Sequence, residues 1–189
     1  YGYRARIGLL LPSPNVVLEP EFNRVAPEGV SVHASRMYLE KSGVEGLKKM
    51  AEDAKRAATE ISSINPTAVA FGCTSGSFLE GPDHDRKITE EIQSIVRVPT
   101  VTTSTAAVEA LRKLDLKRIC IITPYIEEFD ARAKRYFEDS GFKVTRVKGM
   151  GVFDALQIGS VPPEATYEFT RRVYDPEADG LFLSCTNLR

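Results

Sequence analysis

Two cysteines stand in matching surroundings. Cys73 closes the apolar run of "AFGCTSGSF" and is followed by Thr74 and Ser75; Cys185 closes that of "LFLSCTNLR" and is followed by Thr186 and Asn187. A thiol at the exit of a strand sits where loops carry reactive groups. Cys120, in the middle of "RICIIT", reads instead as a small buried hydrophobe. Two thiols that meet one carbon from opposite faces can handle a carbon acid unaided: one, as thiolate, removes a proton or adds to an activated carbon, while the other delivers a proton. Thr74, Ser75, Ser77, Thr186, Asn187, Asn15 and Tyr125 supply neutral donors around them. Such donors suit a small carboxylate whose charge spreads onto oxygen as it reacts. The "TSGS" after Cys73 offers more inward-turning N–H groups than Thr186-Asn187-Leu188, so Cys73 is the expected resting thiolate and Cys185 the neutral acid.

Other chemistries fit badly. A tyrosine-phosphatase loop would need Arg where Leu79 stands, and "GCTSG" centres on Thr74 rather than on the serine of a hydrolase elbow. His33 and His84 are too scattered for a Cys-His protease or a His-based metal site, so no metal is expected. "DHD", Asp83 to Asp85, reads as a helix N-terminus after Gly81-Pro82. No glycine-rich phosphate loop follows a strand. With 25 Lys and Arg against 26 Asp and Glu, charge points to neither nucleic acid nor an anionic membrane. Apolar runs such as "IGLLL" are far too short to span a bilayer, and the N-terminus lacks a secretory h-region. Three cysteines without framework spacing fit a reducing compartment. A cytoplasmic location is the expectation.

The elements that must position these residues alternate along the chain. Residues 6–11, 30–35, 67–72, 98–103, 118–123, 142–147 and 180–184 read as strands. Val44, Leu47, Ala51, Ala54, Ala58 and Ile61 keep helical spacing and predict one amphipathic helix. Ile126, Phe129, Ala133, Tyr136 and Phe137 predict another, closed by Gly141. Helices are also expected over residues 83–96 and 104–114. This order predicts an α/β protein with mostly parallel sheets flanked by helices.

The order also repeats. Ser13-Pro14-Asn15 and Thr123-Pro124-Tyr125 lie 110 residues apart, and Cys73-Thr74 and Cys185-Thr186 lie 112 apart. Matching offsets predict two pseudo-symmetric lobes, residues 1–115 and 116–189, with four loops at strand C-terminal ends facing one cleft. By the same repeat, the second half is expected to lack about one helix-strand-helix unit.

Taken together, "IGLLLPSPN", "FGCTSGSF", "VTTSTAAVEALRKL", "ITPYIEEFDARAKRYFEDSGF" and "LFLSCTN" resemble the aspartate/glutamate racemase superfamily, in particular its maleate cis-trans isomerase and arylmalonate decarboxylase branch. The resemblance spans essentially the whole chain. It implies two lobes about a pseudo-twofold, an active site between them, no metal or organic cofactor, and a homo-oligomer, dimer or tetramer. By motif, Cys73 matches the cysteine that becomes the covalent nucleophile in the isomerases, and Cys185 its second-lobe counterpart. Racemases and isomerases of the superfamily use both, whereas the decarboxylases keep only the second. Asn15 matches the carboxylate-binding Asn of the "PSxN" loop and Tyr125 the tyrosine of "TPY". Ala155, in "FDALQIG", stands where the isomerases carry Asn. The resemblance thus implies a cofactor-independent isomerase of a small (di)carboxylate. A two-thiol amino-acid or hydantoin racemase, a decarboxylase-like relative and a non-catalytic small-acid binder stay open as alternatives.

Overall fold

A computed structural model describes residues 1–189. Each of the seven apolar runs forms a strand, with ends shifted by at most two residues: β1 (Ala5–Pro12), β2 (Val30–Met37), β3 (Ala68–Phe71), β4 (Thr100–Thr102), β5 (Arg118–Thr123), β6 (Lys143–Gly149) and β7 (Gly180–Leu183). All pairings are parallel, in one sheet of order β2-β1-β3-β4 and a second of order β6-β5-β7. The central strands β1 and β5 are apolar on both faces because both faces are covered; Leu9 to Leu11 and Ile119 to Ile122 have no exposed surface. β2 and β3 flank β1 as β6 and β7 flank β5, so the arrangement itself repeats.

Nine helices cover the sheets: α1 (Leu18–Val25), α2 (Val44–Glu52), α3 (Ala54–Ser62), α4 (Thr74–Phe78), α5 (Pro82–Val96), α6 (Thr103–Lys113), α7 (Glu127–Asp139), α8 (Ala155–Gly159) and α9 (Pro163–Val173). The single helix expected over 44–61 is two, broken at Asp53. That side chain accepts the Tyr38 N–H at 3.0 Å and the Arg56 Nε at 2.6 Å, which pulls the chain toward the end of β2. The buried stripe nevertheless continues across the break through Leu47, Met50, Ala54, Ala57, Ala58 and Ile61. Its equivalent in the second half is also split, into α8 and α9, at Pro162-Pro163. Gly141, at φ 93°, ends α7 as expected.

One apolar core runs through both sheets, from Leu10 and Phe71 to Ile121 and Val144. Asp85 of α5 seals the seam between the halves. Its Oδ2 accepts the Thr105 hydroxyl of α6 and the Tyr136 hydroxyl of α7, each at 2.7 Å. Arg132 adds a bond to the Leu79 carbonyl at 3.0 Å. No helix is long and apolar enough to cross a membrane.

Candidate active site

The loops leaving β1, β2, β3, β5, β6 and β7 converge at the C-terminal ends of the strands, where α/β folds place ligands. Cys73 leaves β3 with extended backbone and caps α4, its sulfur accepting the Gly76 N–H at 3.3 Å. A Cβ on residue 76 would stand 3.0 Å from that sulfur, so glycine is what lets the thiol close over the turn. Ser75 Oγ lies 3.8 Å from Cys73 Sγ. The five-residue α4 is held from behind by α6. Fully buried Ser77 and Ser104 share a 2.6 Å hydrogen bond, and the Ser77 hydroxyl lies 3.0 Å from the Thr74 carbonyl.

Cys185 follows β7 at φ 114°, and its sulfur accepts the Asn187 N–H at 3.4 Å. The two cysteines thus share a device: each sulfur takes a backbone N–H from its own loop. Thr186 donates to the Gly72 carbonyl, beside Cys73, and accepts from Asn15 Nδ2, both at 3.0 Å. Asn187 accepts the Val16 N–H at 2.9 Å and donates to the Ala155 carbonyl at 2.7 Å. Asn15 Oδ1 accepts from Val17 and Leu18 and so starts α1. Tyr125, buried between Phe78 and Phe129, has no hydrogen-bond partner of good geometry for its hydroxyl. The hydroxyls of Thr74 and Ser184 are likewise buried and unpartnered.

Burial pushes the Cys73 thiol up to about 11; the Gly76 N–H and Ser75 hydroxyl favour the anion but do not offset it, and Cys185 adds repulsion. Burial also raises Cys185, against the Asn187 N–H, the Tyr125 hydroxyl and the Leu188 N–H. Tyr125 is held well above the ordinary phenol range by burial, then by the neighbouring Cys185 and Cys73 sulfurs. The expected resting thiolate at Cys73 is therefore corrected: "TSGS" does turn an N–H toward sulfur, but desolvation outweighs it and the thiol stays protonated at neutral pH.

Cys73, Cys185, Asn15, Thr74, Ser75, Tyr125, Thr186 and Asn187 all line one cleft. No Asp, Glu, His, Lys or Arg lines it. Much of the remaining wall is apolar, including Leu39, Phe129, Val152, Phe153, Ala155 and Ile158. Ser42 and Phe153 escaped the sequence reading although their loops also follow strands, β2 and β6. Ser42 Oγ accepts the Ala155 N–H at 3.1 Å and so ties those two loops together. No cluster of three or more His, Cys, Asp or Glu is placed to hold a metal ion.

Comparison with known proteins points to one family. The profile of a family described as arylmalonate decarboxylase matches residues 7–189. A maleate isomerase from Nocardia farcinica is 28% identical over 193 residues, an overlap of 95% of this chain and 75% of the relative. An arylmalonate decarboxylase from Bordetella bronchiseptica is 23% identical over 184 residues, covering 96% of this chain and 76% of the relative. The fold is similar, with a TM-score of 0.92 and 26% identity, to a cysteine-to-serine variant of Nocardia farcinica maleate cis-trans isomerase with a covalently bound succinylcysteine intermediate; the match covers 98% of this chain and 80% of that one.

Proposed function

The chain belongs to the arylmalonate decarboxylase family, and from that membership we propose that it is a cis-trans isomerase of small alkene carboxylates, of the maleate type. The observation that carries this is the pair of thiols on one cleft, each contacted by a loop N–H, with buried hydroxyls of Thr74 and Tyr125 left without partners. Similarity to an isomerase that forms a succinylcysteine supports it.

The Cys73 proton leaves to solvent as the substrate enters. The thiolate adds to one alkene carbon, forming a C–S bond, and the π pair moves to the neighbouring carbon and its carboxyl group. Thr74, Ser75 and Tyr125 donate to the oxygens on which charge accumulates. Cys185 protonates that carbon, and the C–C bond, now single, rotates. Cys185 thiolate then takes a proton back, the alkene reforms, and the C–S electron pair returns to Cys73. No oxidant, reductant or cofactor enters. Asn15, Thr186 and Asn187 position both cysteine loops, with one Asn15 N–H left for substrate. The two thiols are contributed by residues 1–115 and 116–189, acting as two lobes of a cytoplasmic homo-oligomer.

Proton NMR of the protein with maleate is the test, with fumarate the expected product. Cys73→Ala abolishes both turnover and covalent capture. Cys185→Ala abolishes turnover yet still permits an adduct at Cys73, read by peptide mass spectrometry. Failure to isomerise any cis-alkene acid would sink the assignment.

A further inference from the structure

Behind Tyr125 lies a carboxylate that the reaction steps leave idle. Thr123, the fully buried last residue of β5, accepts the Tyr125 N–H on its hydroxyl oxygen at 2.9 Å and gives its single hydroxyl hydrogen to Oδ1 of half-buried Asp130 on α7. β6 closes over the same corner. Its Gly149 leaves no room for a side chain, since a Cβ there would stand 2.2 Å from the Tyr125 carbonyl oxygen and 2.5 Å from Asp130 Oδ2. The next three N–H groups, of Met150, Gly151 and Val152, donate to the carbonyls of Thr123, Tyr125 and Pro124. Both backbone polar groups of Tyr125 are thus engaged, and Asp130 itself is not on the cleft wall.

The first half has a counterpart. Glu19, 111 residues before Asp130, accepts from Arg36 at 2.7 Å, and Arg36 donates to the Ser13 and Asn15 carbonyls at 3.1 and 2.7 Å. In both halves an acid of the helix after the proline loop braces the residue which that loop sends to the cleft, Asn15 in one and Tyr125 in the other.

A hydroxyl has one hydrogen, and the acceptor of that hydrogen decides where the lone pairs point. With Asp130 taking it, a Thr123 lone pair faces the Tyr125 N–H. Without Asp130 the buried hydroxyl must turn to another acceptor, and the loop loses the bond that sets the depth of Tyr125. Resting on the isomerase assignment above, in which Tyr125 donates to an oxygen that gains charge, we propose that Asp130 is a positioning residue for the reaction: through Thr123 it fixes the place of the Tyr125 hydroxyl beside the thiols. It makes no bond to substrate and transfers no proton.

The test has two arms, both on the full chain. Turnover of maleate, followed by proton NMR, gives kcat and KM. Asp130→Ala and Thr123→Val should each lower kcat about tenfold or more, as misplacement of a catalytic group does, with KM changed by less than about twofold. Thr123→Ser, which keeps the hydroxyl, should recover most of what Thr123→Val loses. The second arm needs no turnover: iodoacetamide labelling of Cys185 across pH, read by peptide mass spectrometry, senses the Tyr125 hydroxyl because that hydroxyl favours the Cys185 anion. Tyr125→Phe should move the labelling midpoint to higher pH, and Asp130→Ala likewise. In the Tyr125→Phe background Asp130→Ala should move neither midpoint nor kcat further, since the group it places is gone. Equal effects in both backgrounds mean that Asp130 acts on the fold at large and overturn the proposal, as does an Asp130→Ala variant with wild-type midpoint and kcat. Should Asp130→Ala not fold, Thr123→Val with and without Tyr125→Phe decides by the same comparison. A wild type that isomerises no cis-alkene acid removes the isomerase assignment, and the labelling arm still decides whether Asp130 places Tyr125.

Discussion

At Cys73, burial and hydrogen bonding act in opposite senses on one proton, and burial is the larger effect. The nucleophile is thus masked in the empty cleft. Since kcat/KM reports the free enzyme, it should climb with pH from neutrality into the alkaline range as Cys73 ionises, and turn down where Cys185, the acid of the mechanism, loses its own proton. A profile that levels off near neutrality would contradict this. The same group contributes to stability. Its pKa is raised from 9.0 to about 11 on folding, so the native state holds the proton more tightly than the unfolded chain between those values. Stability is fully present below pH 9 and falls as pH rises through this window, by roughly 2–3 kcal/mol for this thiol. Urea melts from pH 8 to 11 read the loss, and Cys73→Ala should make the profile shallower while leaving the share of the other buried group in the cleft, Cys185.

At the scale of elements, α4 exists because of what it touches. A five-residue helix is not stable alone; the Ser77–Ser104 pair and the bond to the Thr74 carbonyl fix it. Ser104→Ala should cost about 1–3 kcal/mol, the range for a disrupted buried hydrogen bond, and should alter the pH dependence of Cys73 alkylation by loosening the Gly76 N–H. Ser94→Ala, which removes an exposed bond to the Glu91 carbonyl, should change neither. The contrast marks what sequence can convey. All seven strands were legible because apolar runs bounded by turns are a local signal. The break at Asp53 was not, because the group that bends it, the Tyr38 N–H, lies 15 residues away. Likewise the duplicated loops led to residues that meet on one cleft, Cys73, Thr74, Cys185 and Thr186 among them, but not to Ser42 and Phe153. The duties of Asn15 and Asn187 could not be read, since their decisive partners stand 171 residues off.

For the whole molecule, the relation of the halves is set at two places. On the cleft side, Thr186 to Gly72 and Asn187 to Val16 join the loops directly. Between α5 and α7, Tyr136 reaches Asp85, and burial together with the Asp85 charge pushes its phenol well above the ordinary range. Tyr136→Phe removes one of two donors from a buried carboxyl group that has one oxygen without any partner. Loss of about 1–3 kcal/mol should follow, visible as a lower melting temperature at unchanged thiol reactivity. Exposed pairs such as Arg86–Asp83 and Lys117–Asp115 contribute little by comparison. Raising the salt concentration should therefore shift the melting temperature far less than Tyr136→Phe does.

Cys185, at φ 114°, occupies backbone space that side chains avoid and glycine accepts. Its thiol is therefore kept at the expense of native-state strain, which selection for activity would have to maintain against selection for robustness. The consequence is an inverted ranking of two inactive variants. Elsewhere, glycine in place of alanine weakens a fold by about 0.5–1 kcal/mol; here Cys185→Gly should be more stable than Cys185→Ala by on the order of 1 kcal/mol, because both lose the sulfur and only the alanine keeps the offending Cβ. Chemical denaturation of the two variants decides it, and the ordinary order would mean that this backbone bears no strain.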